Sequence, residues 1–276
     1  MKPPFITAVS FSAGTGSAAL VWMLLRGELP RPKRIVIQAA DPGMENHLTI
    51  AYRDHLLELL RSAGFFAEVV PGPNLYRDIL ALKSTGKTRF DTPPYFTKNA
   101  DGTTGQLKQG CTKFYKIAPM RRHLRRHLWR EWRIKNMRPG LVERWIGFTY
   151  DERHRVKPSK IAYEVMRYPL IEAKITKKDL LEWYAAANIA VPPRSVCNAC
   201  FANRPEFYRD MAANRPQDFE QACAVDESVR DWTCIHVREQ VYVSPTLLPL
   251  RILGQESAEN PYDGIEDGCD SGYCFV

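Results

Sequence analysis

The sequence predicts an α/β fold: a Rossmann-like (HUP-type) doubly wound parallel sheet, joined to a smaller, cysteine-bearing C-terminal helical region and a tail. Three observations predict it. Short apolar runs alternate with amphipathic stretches through the first third of the chain, the pattern of βα units packed into a parallel sheet. The first run enters a helix through a turn of small residues, Ser10-Phe-Ser-Ala-Gly-Thr-Gly-Ser17. Beyond residue 190 the character changes, and a Pro-rich loop carries a Cys-x-x-Cys pair. The expected division is 1–190 for the α/β domain and 191–276 for the cysteine loop, helices and acidic tail.

Ile6 to Phe11 is apolar and bounded by small residues, as a buried parallel strand requires. Ala18 to Arg26 reads as a helix, Arg34 to Ala39 as a second strand, and Glu45 to Ala63 as a helix with Leu48, Tyr52, Leu56, Leu59 and Leu60 at helical spacing. Phe66 to Val70 is a third strand, followed by a shorter helix from Asn74 to Leu82. Periodicity vanishes from Ser84 to Gly110, a length at which loops are functional or disordered. Cys111 to Trp132 is a basic helix, Val142 to Phe148 a fourth strand, and Tyr150 to Lys160 a charged irregular stretch. Thr176-Lys-Lys-Asp179 is a capping box opening a helix to about Asn188. Two helical stretches follow the loop from Val191 to Arg204, and the remainder lacks a period.

The 276 residues are 45% hydrophobic, ordinary for a globular chain. No apolar run reaches the roughly 18 residues of a membrane span; the nearest, Ala18 to Leu25, stops at Arg26. The start, Met-Lys-Pro-Pro, does not resemble a secretory signal, so the cytoplasm is the expected location and no membrane partner is expected. The net charge of +8 is concentrated in Arg121, Arg122, Arg125, Arg126, Arg130, Arg133, Lys135 and Arg138, opposed only by Glu131. Such a face attracts nucleic acid through counterion release, with a solvated helix face as the alternative. Trp129 and Trp132 beside it could stack bases, but core burial is the expected fate of both. His123 and His127, four residues apart, read as surface histidines. Acidic residues gather near the end, from Glu256 to Asp270.

Seven cysteines are present, with Cys197 and Cys200 forming the Cys-x-x-Cys pair and none before Cys111. In a cytosolic chain this pattern points to metal, cluster or redox chemistry more than to structural disulfides. Cys223 and Cys234 read as buried free thiols.

The turn from Ser10 to Ser17 has the makings of an anion cradle, because small residues let backbone N–H groups approach and the helix start carries partial positive charge. It is neither a Walker A loop nor the Gly-x-Gly-x-x-Gly of dinucleotide folds. Its residues Ser12, Gly14 and Ser17 match the Ser-Gly-Gly-x-Asp-Ser loop of the N-type ATP pyrophosphatases and phosphoadenosine phosphosulfate (PAPS) reductases. Ala13 stands for a glycine and Gly16 for the aspartate; Ala13, Gly14 and Ser17 also fit the Ala-Gly-x-x-Ser of a branch often found in phage genomes. Asp41-Pro-Gly-Met-Glu45 resembles the family's Asp-x-Gly-x-Glu, Cys111-Thr-Lys-Phe-Tyr-Lys-Ile-Ala-Pro its Cys-Thr-x-x-x-Lys-Ile-x-Pro, and Ile146-Gly-Phe-Thr-Tyr-Asp-Glu152 its Ile-Gly-x-x-x-Asp-Glu. Tyr168-Pro-Leu-Ile and Pro192 to Cys200 complete a series in the family's order.

The resemblance implies an adenine nucleotide, ATP or PAPS, over the carboxyl ends of the strands. Ser10, Ser12, Ala13, Gly14, Thr15, Gly16 and Ser17 would hold it, with Asp41 and Gly147. Lys116, Arg153 and Arg155 are candidates for phosphate or substrate. Adenylating members activate an oxygen with ATP, Mg2+ neutralising the departing pyrophosphate, and let sulfur or nitrogen displace AMP; a thiol or sulfur donor is then a partner. Members also accompany mobile elements, including type IV CRISPR loci. Cys111, Cys197 and Cys200 would hold a 4Fe–4S cluster or zinc, with a fourth ligand from Cys269 or Cys274. The reductase alternative makes Cys274 or Cys269 a catalytic nucleophile attacking sulfur. Gly16, in place of the aspartate, motivates a third reading, a nucleotide-binding protein without catalysis.

Overall fold

The computed structural model describes residues 4–87 and 90–255. Its first half is a run of βα units: β1 (Ile6–Ser10), α1 (Thr15–Leu25), β2 (Ile35–Ala40), α2 (His47–Ser62), β3 (Phe66–Val70) and α3 (Leu75–Ala81). Two short strands follow, β4 (Phe96–Lys98) and β5 (Thr104–Gln106), then a π-helical turn, Thr112–Ile117, that continues into α4 (Ala118–Trp132). Next come β6 (Val142–Trp145), a 3-10 turn at Tyr150–Arg155, β7 (Glu164–Arg167), α5 (Pro169–Glu172) and α6 (Lys177–Ala186). The remaining elements are α7 (Pro205–Asn214), α8 (Pro216–Val229), β8 (Gln240–Tyr242) and α9 (Leu250–Leu253).

Among the described residues, five parallel strands form the main sheet in the order β3-β2-β1-β6-β7. β1 lies at its centre and is buried along its whole length. Alternate residues face opposite sides, so Val9 packs with Leu20, Leu24, Leu57 and Tyr184 of α1, α2 and α6, while Ile6 and Ala8 pack with Leu124 and Leu128 of α4. Helices therefore cover both faces, which makes the fold the doubly wound α/β architecture the sequence predicts. The Thr176 capping box forms, with both the Thr176 hydroxyl and the Asp179 carboxylate engaged.

Several elements depart from the sequence reading. The irregular excursion from Ser84 to Gly110 contains β4 and β5, which join β8 in a separate antiparallel sheet of order β5-β4-β8. β7 is a fifth parallel strand inside a stretch too polar to read as one. Helix α1 begins at Thr15, not Ala18, so Thr15, Gly16 and Ser17 of the turn are already helical. Trp129, expected in the core, is 48% exposed, whereas Trp132 packs edge-on against Phe5. A further core joins chain from both sides of residue 190: Ile79, Tyr95 and Tyr115 pack with Phe207, Tyr208, Cys223, Trp232 and Leu250.

Candidate nucleotide and thiol site

Strand order reverses between β1 and β6, and at such a point the connections diverge to open a crevice beyond the carboxyl ends of the strands. The start of α1 meets the loop after β6 there. A Cβ built on Gly16 would lie 2.0 Å from the Gly147 carbonyl oxygen, and one on Gly147 only 2.5 Å from Gly16 C and Ser17 N. Close approach of two main chains thus requires both glycines. The position at which the resembling family carries an aspartate has no room for a side chain.

Ala13 holds the left-handed conformation (φ 63) and Gly14 is extended before α1. No side chain caps this helix, and its first hydrogen bond runs from Ala18 N to Gly14 O at 2.9 Å. The N–H groups of Thr15, Gly16 and Ser17 are therefore left without carbonyls of their own helix, at its positive end. The serines hold the loop in this shape. Ser17 Oγ donates to Gly14 O (3.1 Å) and accepts from Ser12 N (3.2 Å), with Ser12 Oγ 3.0 Å away. Ser10 is buried on the α4 side, its Oγ accepting from Arg144 Nη1 at 3.2 Å. Asp41 closes its own turn, Oδ1 accepting from Gly43 N (2.7 Å) while Oδ2 pairs with Arg53 (2.9 Å).

The cysteine loop is tied to both of these turns. Ser195 Oγ donates to Ser12 O at 2.5 Å, and Arg194 O accepts from Asn46 Nδ2 (3.0 Å) and Thr49 Oγ1 (2.9 Å). Glu45 and Cys197 form a β-bridge, and Asn198 N donates to Met44 O at 2.7 Å. Two buried phenols fix the Cys-x-x-Cys turn from below: Tyr95 Oη donates to Ala199 O and Tyr208 Oη to Cys200 O, each at 2.9 Å. Ser195→Ala removes the side-chain hydrogen bond between the cysteine loop and the Ser12–Ser17 loop. A net hydrogen bond of about 0.5–1.5 kcal/mol predicts that the variant binds ATP roughly 2- to 12-fold more weakly by calorimetry, with little change in fold.

Cys111, Cys197 and Cys200 line one pocket, with Met44, Tyr115 and Lys116. Lys116 Nζ pairs with Glu45 Oε1 at 3.0 Å, both side chains nearly buried, and Cys197 Sγ donates to the same oxygen at 3.9 Å. Burial pushes the Cys197 thiol well up, against the opposing pull of Lys116, and raises Cys200 to about 11 and Cys111 above its ordinary value. These groups are thiols at neutral pH, so a metal would have to displace their protons. Three sulfur donors match thiolate-bound zinc or an iron–sulfur cluster in kind. Among the described residues, no three His, Cys, Asp or Glu side chains are placed to hold a metal ion. Cys269 and Cys274, read as fourth ligand or nucleophile, lie outside the described residues.

The cationic candidates divide. Arg122, Arg125, Arg126 and Arg130 are exposed along α4, whereas Arg121 turns inward, its Nε donating to Glu164 Oε2 at 2.8 Å. Arg155 is buried, bound to Glu152 and stacked over Phe148 at 4.0 Å, while Arg153 is exposed beside the Tyr150 ring. His123 pairs with Glu68 and His127 stacks on Phe66. The sequence alone did not disclose the Glu45–Lys116 pair or Ser195, although Glu45, Lys116 and Ser195 all fall within the motifs quoted above.

No family model matches the chain, and no curated protein matches it in sequence. Among solved structures the chain is similar to the U34-tRNA thiolase NcsA from Methanococcus maripaludis with its 4Fe-4S cluster, at 15% identity and a TM-score of 0.44, with 86% of this chain and 75% of that chain covered.

Proposed function

We propose that the chain binds ATP at the Ser12–Ser17 loop and activates a nucleic-acid oxygen by adenylation, for replacement by sulfur or nitrogen. The observation that carries this reading is the Ser195–Ser12 hydrogen bond, 2.5 Å, which ties an anion cradle to a loop bearing two of three thiols in one pocket. The first-turn N–H groups of α1 take phosphate oxygens. The substrate oxygen attacks the α-phosphorus and the bond to pyrophosphate breaks. A sulfur nucleophile then forms the C–S bond as the C–O bond breaks and AMP departs. Mg2+ would supply the charge that neutralises the leaving pyrophosphate. Cys111, Cys197 and Cys200 are the residues that would hold zinc or a cluster, after closing up from the spacing they have here, and either group would supply a Lewis-acidic site for sulfur.

The test uses protein purified without oxygen, assayed for iron, sulfide and zinc, with ATP and PAPS titrated into the same sample. ATP is expected to bind in preference. AMP and pyrophosphate are expected only when nucleic acid and a sulfur donor are both present, and Cys197→Ser should keep ATP binding while losing sulfur incorporation. Tight PAPS binding with thiol-dependent sulfite release would replace this reading with the reductase. ATP binding with no AMP under any condition would replace it with a silent nucleotide-binding protein, the reading that Gly16 favours.

A further inference from the structure

Bordered by Tyr115, as the thiol pocket is, lies an open groove of about 920 Å³ between the excursion before α4 and the turn at Thr233–Ile235. Tyr115 lines both spaces, so the two adjoin through one side chain. We infer that this groove seats an unpaired nucleotide of the acceptor strand, its base stacked on Phe114; this rests on the sulfur-transfer reading above.

The residues support that occupant. Phe114 is 40% exposed in the groove wall and is backed edge-on by Tyr115, ring centroids 5.0 Å apart. An exposed aromatic with rigid support is the platform on which unpaired bases stack whatever their sequence. Phe90 extends this apolar wall and is itself backed by buried Trp232 at 5.8 Å. Lys87 and Lys108 are exposed at the rim, where phosphates flanking the base would run. The groove also contains Asp78 and Asp91. Asp78 accepts the Tyr115 hydroxyl at 2.7 Å, while Asp91 is exposed and suited to accept an exocyclic amino group from a base, as carboxylates do from cytosine. The volume is at the top of the range for small-molecule sites and exceeds the needs of a single base.

The approach is charged as well. Phe114 lies in the π-helical turn that continues without a break into α4, whose exposed side carries Arg122, Arg125, Arg126 and the half-exposed Trp129. A strand following this basic side toward the amino end of the helix arrives at Phe114.

Fluorescence anisotropy with labelled single-stranded RNA, single-stranded DNA and a duplex of matching sequence tests the inference on the full chain. Phe114→Ala is expected to weaken both single strands by roughly 5- to 150-fold, Phe114→Trp to restore them, and duplex binding to change little. Replacing Lys87 or Lys108 by alanine should lower the salt slope for single strands by about 0.7 each. RNA binding tighter than DNA would assign the strand to RNA, and the reverse to DNA. Unchanged single-strand binding by Phe114→Ala, an equal loss on the duplex, or no binding by the parent chain would overturn the inference. Calorimetry with ATP on the same variants separates it from the wider reading: strand binding that behaves as expected without AMP formation leaves the groove standing and removes sulfur transfer.

Discussion

Gly147→Ala is expected to abolish measurable ATP binding in calorimetry while leaving the far-UV circular dichroism of an α/β protein. The added methyl would sit 2.5–2.6 Å from Gly16 C, Gly16 O and Ser17 N, all of them main-chain atoms. A flexible side chain could move aside; the first turn of a buried helix cannot without displacing the cradle it forms. Overpacking of this kind costs about 1–3 kcal/mol or more, and here the strain falls on the N–H groups proposed to hold phosphate. Gly16→Asp, which places a carboxylate where the resembling family has one, is expected to behave as badly, because its Cβ alone would meet the Gly147 carbonyl at 2.0 Å. Gly14→Ala is the control: its Cβ would meet only Ser195 Cβ at 3.3 Å and Ser12 Oγ at 3.5 Å, so a small loss is expected. If Gly147→Ala binds ATP as tightly as the parent, the crevice between β1 and β6 is not the nucleotide site.

The parts of this molecule legible in its sequence are those written in local pattern. β1 and its small-residue turn, the Asp41 turn and the Thr176 capping box each declare themselves within a few residues. What stayed hidden depends on distant partners. β4, β5 and β8 are three residues each, too short to show a period of two; β5 pairs locally with β4, but β8 reaches β4 only across more than a hundred residues of chain. β7 reads Glu-Val-Met-Arg, an edge strand whose polar ends are answered by neighbours rather than by its own composition. The glycine at position 16 looked like a lost aspartate; only the opposing Gly147 shows that the site excludes any side chain. Lys116 looked like a phosphate ligand, and its pairing with Glu45 required the fold to bring the turn after β2 against the π-helical turn. Trp129 remained exposed because the core-facing side of α4 is already occupied by Leu124 and Leu128.

The largest loss of stability is expected from Glu164→Gln. The Glu164 side chain is fully buried in β7 and bound by two guanidinium groups, Arg144 from β6 and Arg121 from α4. Burial pushes its carboxyl up, yet the two arginines outweigh this and hold it below the ordinary carboxylate range. Neutralising it strands both cations against the sheet, and breaking a buried pair costs about 3–5 kcal/mol. For a chain of this size that is a fall in Tm on the order of 10 °C. The sign with pH follows from the lowered value: the carboxylate stabilises the fold above the unfolded-state pKa, and the contribution fades as pH falls through the lower folded-state value. The gap in Tm between parent and Glu164→Gln should therefore be full at neutral pH and close below about pH 4. Adding Arg121→Leu to Glu164→Gln removes one stranded charge and should recover part of the loss, a coupling readable in a double-mutant cycle. The effect reaches the site as well. Arg144 donates to Ser10 at the end of β1, where the chain leaves the sheet for the Ser12–Ser17 loop proposed to hold ATP, so a loosened Arg144 should also weaken ATP binding. A gap that persists unchanged into acid would mean that packing, rather than this charge triad, holds α4 to the sheet.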